Sequence, residues 1–293
     1  MHKLIAVDLD GTMLNSYGEV TENTKRILKE IMQKGNEVVI TTGRTMDAIQ
    51  NIAEEIGTKK YIIAGNGAII YDTQKNENIY EKNISKNKAL DIIKICEDNS
   101  ITYSVYTNKT IISRYLKYNV LYYYKENMKK TQNKKTSITL VDDVYEYVKN
   151  MKNENVIKIF ICDETKSIFN AIIKKLRLID EIEVLDVGHM SRKIITDGTQ
   201  EIALEYFYTE ITAENVDKWY AIEKLMETLK IKKEDVIVVG DNINDKKMIE
   251  AAGIGIAMKG SSPEVTKVAN YITEFDNDND GAAIEIEKIV NGE

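Results

Sequence analysis

The apolar positions of this chain follow two rhythms, and the rhythm changes along its length. Short, nearly continuous apolar runs occur at Leu4 to Val7, Val38 to Ile40, Tyr61 to Ala64, Val236 to Val239 and Ile254 to Ala257, each closed by turn residues or carboxylates. Runs of that length, rich in β-branched residues, predict strands of a parallel sheet covered on both faces. Between the first two, Ile27, Leu28 and Ile31 recur at helical spacing within Glu22 to Lys34, with Thr21 placed to cap the helix and Gly35 to stop it. Tyr220 to Leu229 repeats the pattern, with Ile222, Leu225, Met226 and Leu229 on one face ahead of the strand at Val236. The strand, helix, strand signature therefore sits at both ends of the chain.

The middle differs. Alternating stretches at Ile101 to Tyr106 and Ile157 to Ile161, polar turns, and a Tyr, Lys and Asn-rich section from Tyr115 to Lys135 predict an inserted α+β domain. The expected organisation is α/β: a discontinuous core of residues 1–82 and 212–293, and an insert of residues 83–211.

Composition narrows the partners. The 293 residues, 43% hydrophobic, suffice for two cores of ordinary size. No 18 consecutive apolar residues occur, and Leu4 to Val7 is far short of a secretory leader. Cys96 and Cys162 stand without CxxC spacing, which suggests neither a disulfide framework nor a thiolate metal site. Lys129, Lys130, Lys134 and Lys135 beside Tyr122, Tyr123 and Tyr124 superficially resemble a nucleic-acid surface, but a charge run is usually a solvated face, and a net charge of -7 disfavours a polyanion. The expectation is a cytoplasmic protein, monomeric or weakly homo-oligomeric, acting on a small molecule without nucleic-acid or membrane partners.

Ligands of parallel α/β sheets bind outside the carboxyl ends of the strands. Here those ends carry Asp8-Leu9-Asp10-Gly11-Thr12, Thr41-Thr42-Gly43-Arg44, Gly65-Asn66-Gly67 and Gly240-Asp241-Asn242-Ile243-Asn244-Asp245. Thr42 offers a hydroxyl and Gly43 a backbone N–H to an anion. Asp8, Asp10, Asp241 and Asp245 brought into one crevice would repel, by roughly 4 kcal/mol for a pair about 4 Å apart at an effective dielectric near 20. A divalent cation resolves that, and with all-oxygen donors and only two histidines Mg²⁺ suits better than zinc. Taken singly each motif is as easily a turn or an N-cap; their order and placement at strand ends give them weight.

DLDGTML, TTGR, Lys218 and GDNINDKKM, in that order, resemble the four motifs of the haloacid dehalogenase superfamily, and NGA at Asn66, GIAM at Gly255 and DGAA at Asp280 resemble its Cof-type small-molecule phosphatases. The resemblance implies a Rossmann-like core with an inserted α/β cap that selects the substrate. It implies Asp8 as a nucleophile that becomes an aspartyl-phosphate and Asp10 as general acid, then base. Mg²⁺ would be held by Asp8, the Asp10 carbonyl and Asp241 with support from Asp245, and the phosphoryl oxygens by Thr42, Gly43, Lys218 and Asn244. Sugar phosphates are the leading substrate class, with flavin or pyridoxal phosphates behind. A phosphomutase of the same superfamily is the alternative. Two departures bear on the pocket: Trp219 stands where a small residue usually follows the lysine, and Lys259-Gly260-Ser261 follows GIAM where GNA is common. The segment from Asp186 to Glu205 is long for a cap ending, and its His189, Arg192 and Lys193 are candidate anion contacts.

One motif belongs to other chemistry. Asp276, Asp278, Asp280, Gly281 and Glu287 complete the calcium-loop pattern D-x-[DN]-x-[DN]-G-x₅-E. Ile284 at its ninth position and the lack of a second loop weigh against it. As the turn into a final helix, the segment places its carboxylates at a helix N-terminus instead.

Overall fold

The computed structural model describes residues 2–58, 60–128, 135–186, 188–195 and 201–292, with the backbone alone at 47, 50, 189–195 and 201–204. Two compact units emerge, one of Met1–Glu81 with Val216–Glu293, the other Lys82–Asn215. The chain begins the first with β1 (Leu4–Val7), α1 (Glu22–Gln33), β2 (Glu37–Thr41), α2 (Met46–Ile56), β3 (Tyr61–Ala64), β4 (Ile69–Asp72) and β5 (Glu77–Glu81). The second unit holds α3 (Lys86–Asp98), β6 (Thr102–Thr107), β7 (Ile111–Ser113), α4 (Tyr118–Met128), β8 (Ile138–Leu140), α5 (Val144–Asn150), β9 (Val156–Asp163), α6 (Lys166–Leu176), β10 (Ile182–Val184), β11 (Gly188–Ile195) and β12 (Glu201–Ala213). The first unit then resumes with α7 (Lys218–Leu229), β13 (Val236–Gly240), α8 (Lys246–Ala251), β14 (Ile254–Ala257), α9 (Pro263–Thr266), β15 (Tyr271–Ile272) and α10 (Gly281–Asn291).

The first unit is built on an eight-stranded sheet in the order β15-β14-β13-β1-β2-β3-β4-β5. The six strands from β15 to β3 are parallel, and β4 and β5 extend the sheet as antiparallel strands. β1 is central, pairing Leu4 with Val236 on one side and with Glu37 on the other. β1 and β13 are buried along their whole length, which is why their sequences are continuous apolar runs rather than alternations. On one face Leu4, Ala6, Val39, Ile63, Val236 and Val238 pack with Ile222 and Leu225 of α7 and Met248 and Ile249 of α8. Trp219 joins that apolar cluster, so the aromatic replacement after Lys218 is absorbed by the core. α1 packs on β2, α2 and α10. Thr21 caps α1 by accepting from the Thr24 N–H at 3.1 Å, as its position predicts.

The second unit carries a sheet in the order β10-β12-β9-β6-β7-β8, with β11 antiparallel to β12. α3 and α6 pack on it, and α5 packs on α3. Its central strand β9 is buried from Val156 to Cys162, and the one charge there, Lys158, is paired with Glu210 and lies 4.8 Å from the Tyr106 ring centroid. Burial pushes the Cys96 and Cys162 thiols well above their usual range, leaving inert core side chains. The candidate contacts His189, Arg192 and Lys193, and the basic run at Lys129, Lys130 and Lys134, lie outside the described side chains. No helix among the described residues is long and apolar enough to cross a membrane.

Candidate active site

β1 ends where the Asp8 N–H donates to the Val239 carbonyl at 3.0 Å, so Asp8 emerges beside the end of β13. Leu9 is fully buried, and its carbonyl accepts from the N–H groups of Thr12, Met13 and Leu14. That turn leaves Asp8 buried and turns Asp10 out toward solvent. Gly11 sits in it at φ +77°, where a Cβ would stand 2.5 Å from an oxygen of the Asp241 carboxylate. Only glycine lets the turn pass so close.

Lys218 is the first residue of α7, held there by the Asp217 N-cap, whose Oδ1 accepts from the Tyr220 N–H at 2.7 Å. The other Asp217 oxygen pairs with Lys247 of α8. The Lys218 ammonium, on a side chain only 1% exposed, donates to Asp8 Oδ1 at 2.6 Å and Asp245 Oδ1 at 2.5 Å. Asp245 Oδ2 accepts from the N–H groups of Asp241 and Asn242, both at 3.1 Å, which closes the turn after β13. The Thr12 hydroxyl donates to Asp241 Oδ1 at 3.3 Å. Carboxylate oxygens of Asp8, Asp241 and Asp245 thus lie within 4.8 Å of one another.

The turn after β2 completes the site. The Thr42 hydroxyl accepts from the Arg44 N–H at 3.2 Å, which leaves its own proton to be donated to an anion. Gly43 lies in the same turn, and the Thr42 carbonyl accepts from the Asn66 N–H at 2.9 Å. Asn66 Oδ1 in turn accepts from the Asn244 side-chain amide at 3.2 Å. Arg44 donates from Nε to Asp10 Oδ2 at 2.8 Å and from Nη2 to Asp10 Oδ1 at 2.6 Å.

Electrostatics follow from burial. Burial, reinforced by Asp245, raises the Asp8 pKa well above the carboxylate range, against the lowering by Lys218. Burial and Asp245 push Asp241 up to about 7. For Lys218 burial alone would lower the pKa, but Asp245 and Asp8 outweigh it and hold the ammonium charged. The carboxylates are thus short of positive charge although Lys218 lies among them. An all-oxygen donor set at such a place fits a hard divalent cation.

The other acidic motif has no such geometry. Asp278 accepts from Ser16 N and Oγ, both at 2.6 Å. Asp280 accepts from Thr21, Asn23 and Thr24 at the start of α1, and Asp276 accepts from Asn279. Glu287 lies within α10, and the apolar spacing before the loop forms only the short α9 and then β15 rather than an entering helix. Asp278 and Asp280 fasten the C-terminal segment to the chain around the start of α1 while Asp276 bonds within its own loop, and the acidic cluster found among the described residues is Asp8, Asp241 and Asp245. The expected dipole placement shifts accordingly: Asp280 faces the N-terminus of α1, not only its own helix.

One hydrogen-bonded network therefore connects Asp8, Lys218, Asp245 and Asp241, and a second links Asp10, Arg44, Thr42, Asn66 and Asn244. Sequence reasoning placed Arg44 and Asn66 at the strand ends, in TTGR and NGA, but gave neither a role. Arginine is normally solvated, so only its position directly after Thr42-Gly43 at a strand end could have singled it out.

The whole chain is similar to known proteins. The model of the haloacid dehalogenase-like hydrolases matches residues 5–286. The phosphatase YwpJ of Bacillus subtilis (strain 168) is 29% identical over 96% of this chain and 97% of that protein. The 5-amino-6-(5-phospho-D-ribitylamino)uracil phosphatase YcsE of the same organism is 26% identical over 96% and 93%. A haloacid dehalogenase-like hydrolase from Bacteroides thetaiotaomicron, known from its crystal structure, superposes with a TM-score of 0.75 at 26% identity, covering 99% of this chain and 100% of that one.

Proposed function

The chain belongs to the haloacid dehalogenase-like hydrolases and is a phosphatase of small phosphorylated substrates, and we propose that it hydrolyses a phosphomonoester of a sugar or similar metabolite through an aspartyl-phosphate on Asp8. The observation that carries this reading is the buried Lys218 ammonium bridging Asp8 and Asp245 beside Asp241, at the carboxyl ends of β1 and β13. Asp8 attacks phosphorus, and the leaving alcohol takes a proton from Asp10. The Thr42 hydroxyl, the Gly43 N–H, Lys218 and Asn244 hold the phosphoryl oxygens as charge builds on them.

Asp8, Asp241 and the Asp10 carbonyl would hold Mg²⁺, which when bound offsets the repulsion between the carboxylate nucleophile and the phosphoryl group. Asp245 would support the metal, as a ligand or by holding the loop through the Asp241 and Asn242 N–H groups that its Oδ2 accepts. The Lys82–Asn215 unit would serve as the cap that selects substrate. A cytoplasmic, monomeric or weakly associating protein is part of the same reading.

Purified protein should release free phosphate, and not an isomer, from p-nitrophenyl phosphate and from members of a sugar phosphate panel with Mg²⁺, and lose that activity in EDTA. Phosphate release undiminished in EDTA would remove the metal from the mechanism.

Calorimetry tests the metal site itself. Cation binding needs Asp241 ionised, and its raised pKa makes the proton a competitor below about 7. Mg²⁺ affinity should rise with pH through that value, with proton release on binding. Asp241→Ala should abolish the Mg²⁺ heat, whereas Asp276→Ala should leave both Mg²⁺ and Ca²⁺ titrations as in the wild type. The reverse pattern would return the metal to the 276–287 loop.

A further inference from the structure

We propose that Arg44 is a positioning residue for Asp10, holding its carboxylate in the orientation in which it takes the proton of the hydrolytic water. The inference rests on the aspartyl-phosphate reading above.

The geometry is that of a rigid fork. Nε and Nη2 of Arg44 meet the two Asp10 oxygens at 2.8 and 2.6 Å, so both ends of the carboxylate are fixed and its plane is set by the planar guanidinium. Exposure is divided sharply: the Arg44 side chain is 4% exposed and that of Asp10 53%. Arg44 therefore approaches from the protein side, while more than half of the Asp10 side chain stays open to solvent, from which a water would arrive. A guanidinium so buried, with its fork turned to Asp10, is placed to act through that carboxylate.

Arg44 is itself anchored. Its N–H donates to the Thr42 hydroxyl, and its carbonyl accepts from the Gly65 N–H at 2.9 Å. The residue thus joins the phosphoryl-binding turn, the Gly65-Asn66-Gly67 turn and Asp10.

The step served is the second half of the reaction. The water oxygen bonds to phosphorus while the bond from phosphorus to the Asp8 carboxylate oxygen breaks, and that electron pair returns to Asp8. The proton of the water passes to the Asp10 carboxylate, and inorganic phosphate leaves. In the first half-reaction p-nitrophenolate departs as a stable anion and needs no proton from Asp10. The two halves can therefore be separated with this substrate.

Stopped-flow measurement on the Mg²⁺-loaded protein provides the test. Arg44→Lys keeps a buried cation and loses the fork; Arg44→Gln keeps hydrogen bonding and serves if the lysine variant melts early. Either folded variant should show a nitrophenolate burst approaching one per enzyme, larger than in the wild type, followed by a steady rate roughly 10- to 100-fold lower, the scale of a misplaced catalytic group. Guanidinium ion added to Arg44→Ala should restore part of the steady rate. A first turnover that falls in step with the steady rate, or a steady rate that does not fall, would overturn the role of Arg44. Wild-type turnover in Asp8→Asn would instead sink the underlying aspartyl-phosphate reading.

Discussion

Asp8→Asn should lose turnover by roughly 10⁴-fold or more, the scale on which covalent hydrolases depend on their nucleophile, while the protein remains folded. The amide keeps the size of the carboxylate, and its oxygen can still accept from the Lys218 ammonium, which lies 2.6 Å from Asp8 Oδ1. What it lacks is nucleophilicity. Burial already raises the Asp8 pKa, so folding disfavours its ionised form relative to water. A neutral side chain removes that penalty, so the melting temperature should hold or rise. Initial rates with p-nitrophenyl phosphate and Mg²⁺, taken together with thermal melts, distinguish lost chemistry from lost structure. Turnover within tenfold of wild type would exclude Asp8 as nucleophile.

Lys218→Ala should be costly twice over. Its ammonium is shared by Asp8 and Asp245 at 2.6 and 2.5 Å. Removing one partner of a buried ion pair leaves uncompensated charge, which typically destabilises by about 3–5 kcal/mol. The transition state loses a donor aimed at its developing phosphoryl charge, for which roughly a 10²- to 10³-fold loss in kcat is the usual scale. Asp8 would lose the lowering influence of Lys218 and bind a proton more readily, so the activity loss should be steepest at lower pH, where the nucleophile is protonated. Rates measured per folded molecule, over a pH series, separate these effects. A folded Lys218→Ala protein with wild-type kcat would take Lys218 out of the site.

The strands that carry the site were legible because the parallel sheet demands it. β1, β3 and β14 fall where their apolar runs predict, and β2 and β13 exceed theirs by only a residue or two. Such strands are buried on both faces, so hydrophobicity alone marks them. α2 was less visible, though Ile49, Ala53 and Ile56 recur at helical spacing and are buried in it. The β4–β5 extension was hidden because β5 is only partly buried and its Glu77-Asn78 start reads as a polar turn.

At the site, the charges were legible and their partners were not. Four carboxylates at strand ends implied a cation, but pattern alone could not divide them into Asp8, Asp241 and Asp245 around Lys218, and Asp10 gripped by Arg44. That division depends on side-chain direction, which neither the spacing of residues 8 and 10 nor that of 241 and 245 determines. The 276–287 loop shows the opposite limit. Its complete motif specifies ligands only if the backbone wraps them inward, and here Ser16, Thr21, Asn23 and Thr24 from a distant part of the chain take the oxygens of Asp278 and Asp280. Trp219 likewise looked like a change in the pocket because sequence adjacency to Lys218 does not reveal that the next helical position points into the apolar cluster.

The phosphoryl group can be located directly. The Mg²⁺-loaded protein is mixed with substrate, quenched in acid within the first turnovers, reduced with borohydride and digested for peptide mass mapping. An aspartyl-phosphate is reduced to homoserine, so the expected result is conversion of residue 8, dependent on substrate and lost in Asp8→Asn. Steady phosphate release with residue 8 unmodified, or conversion at another carboxylate, would contradict Asp8 as the residue that carries the phosphoryl group.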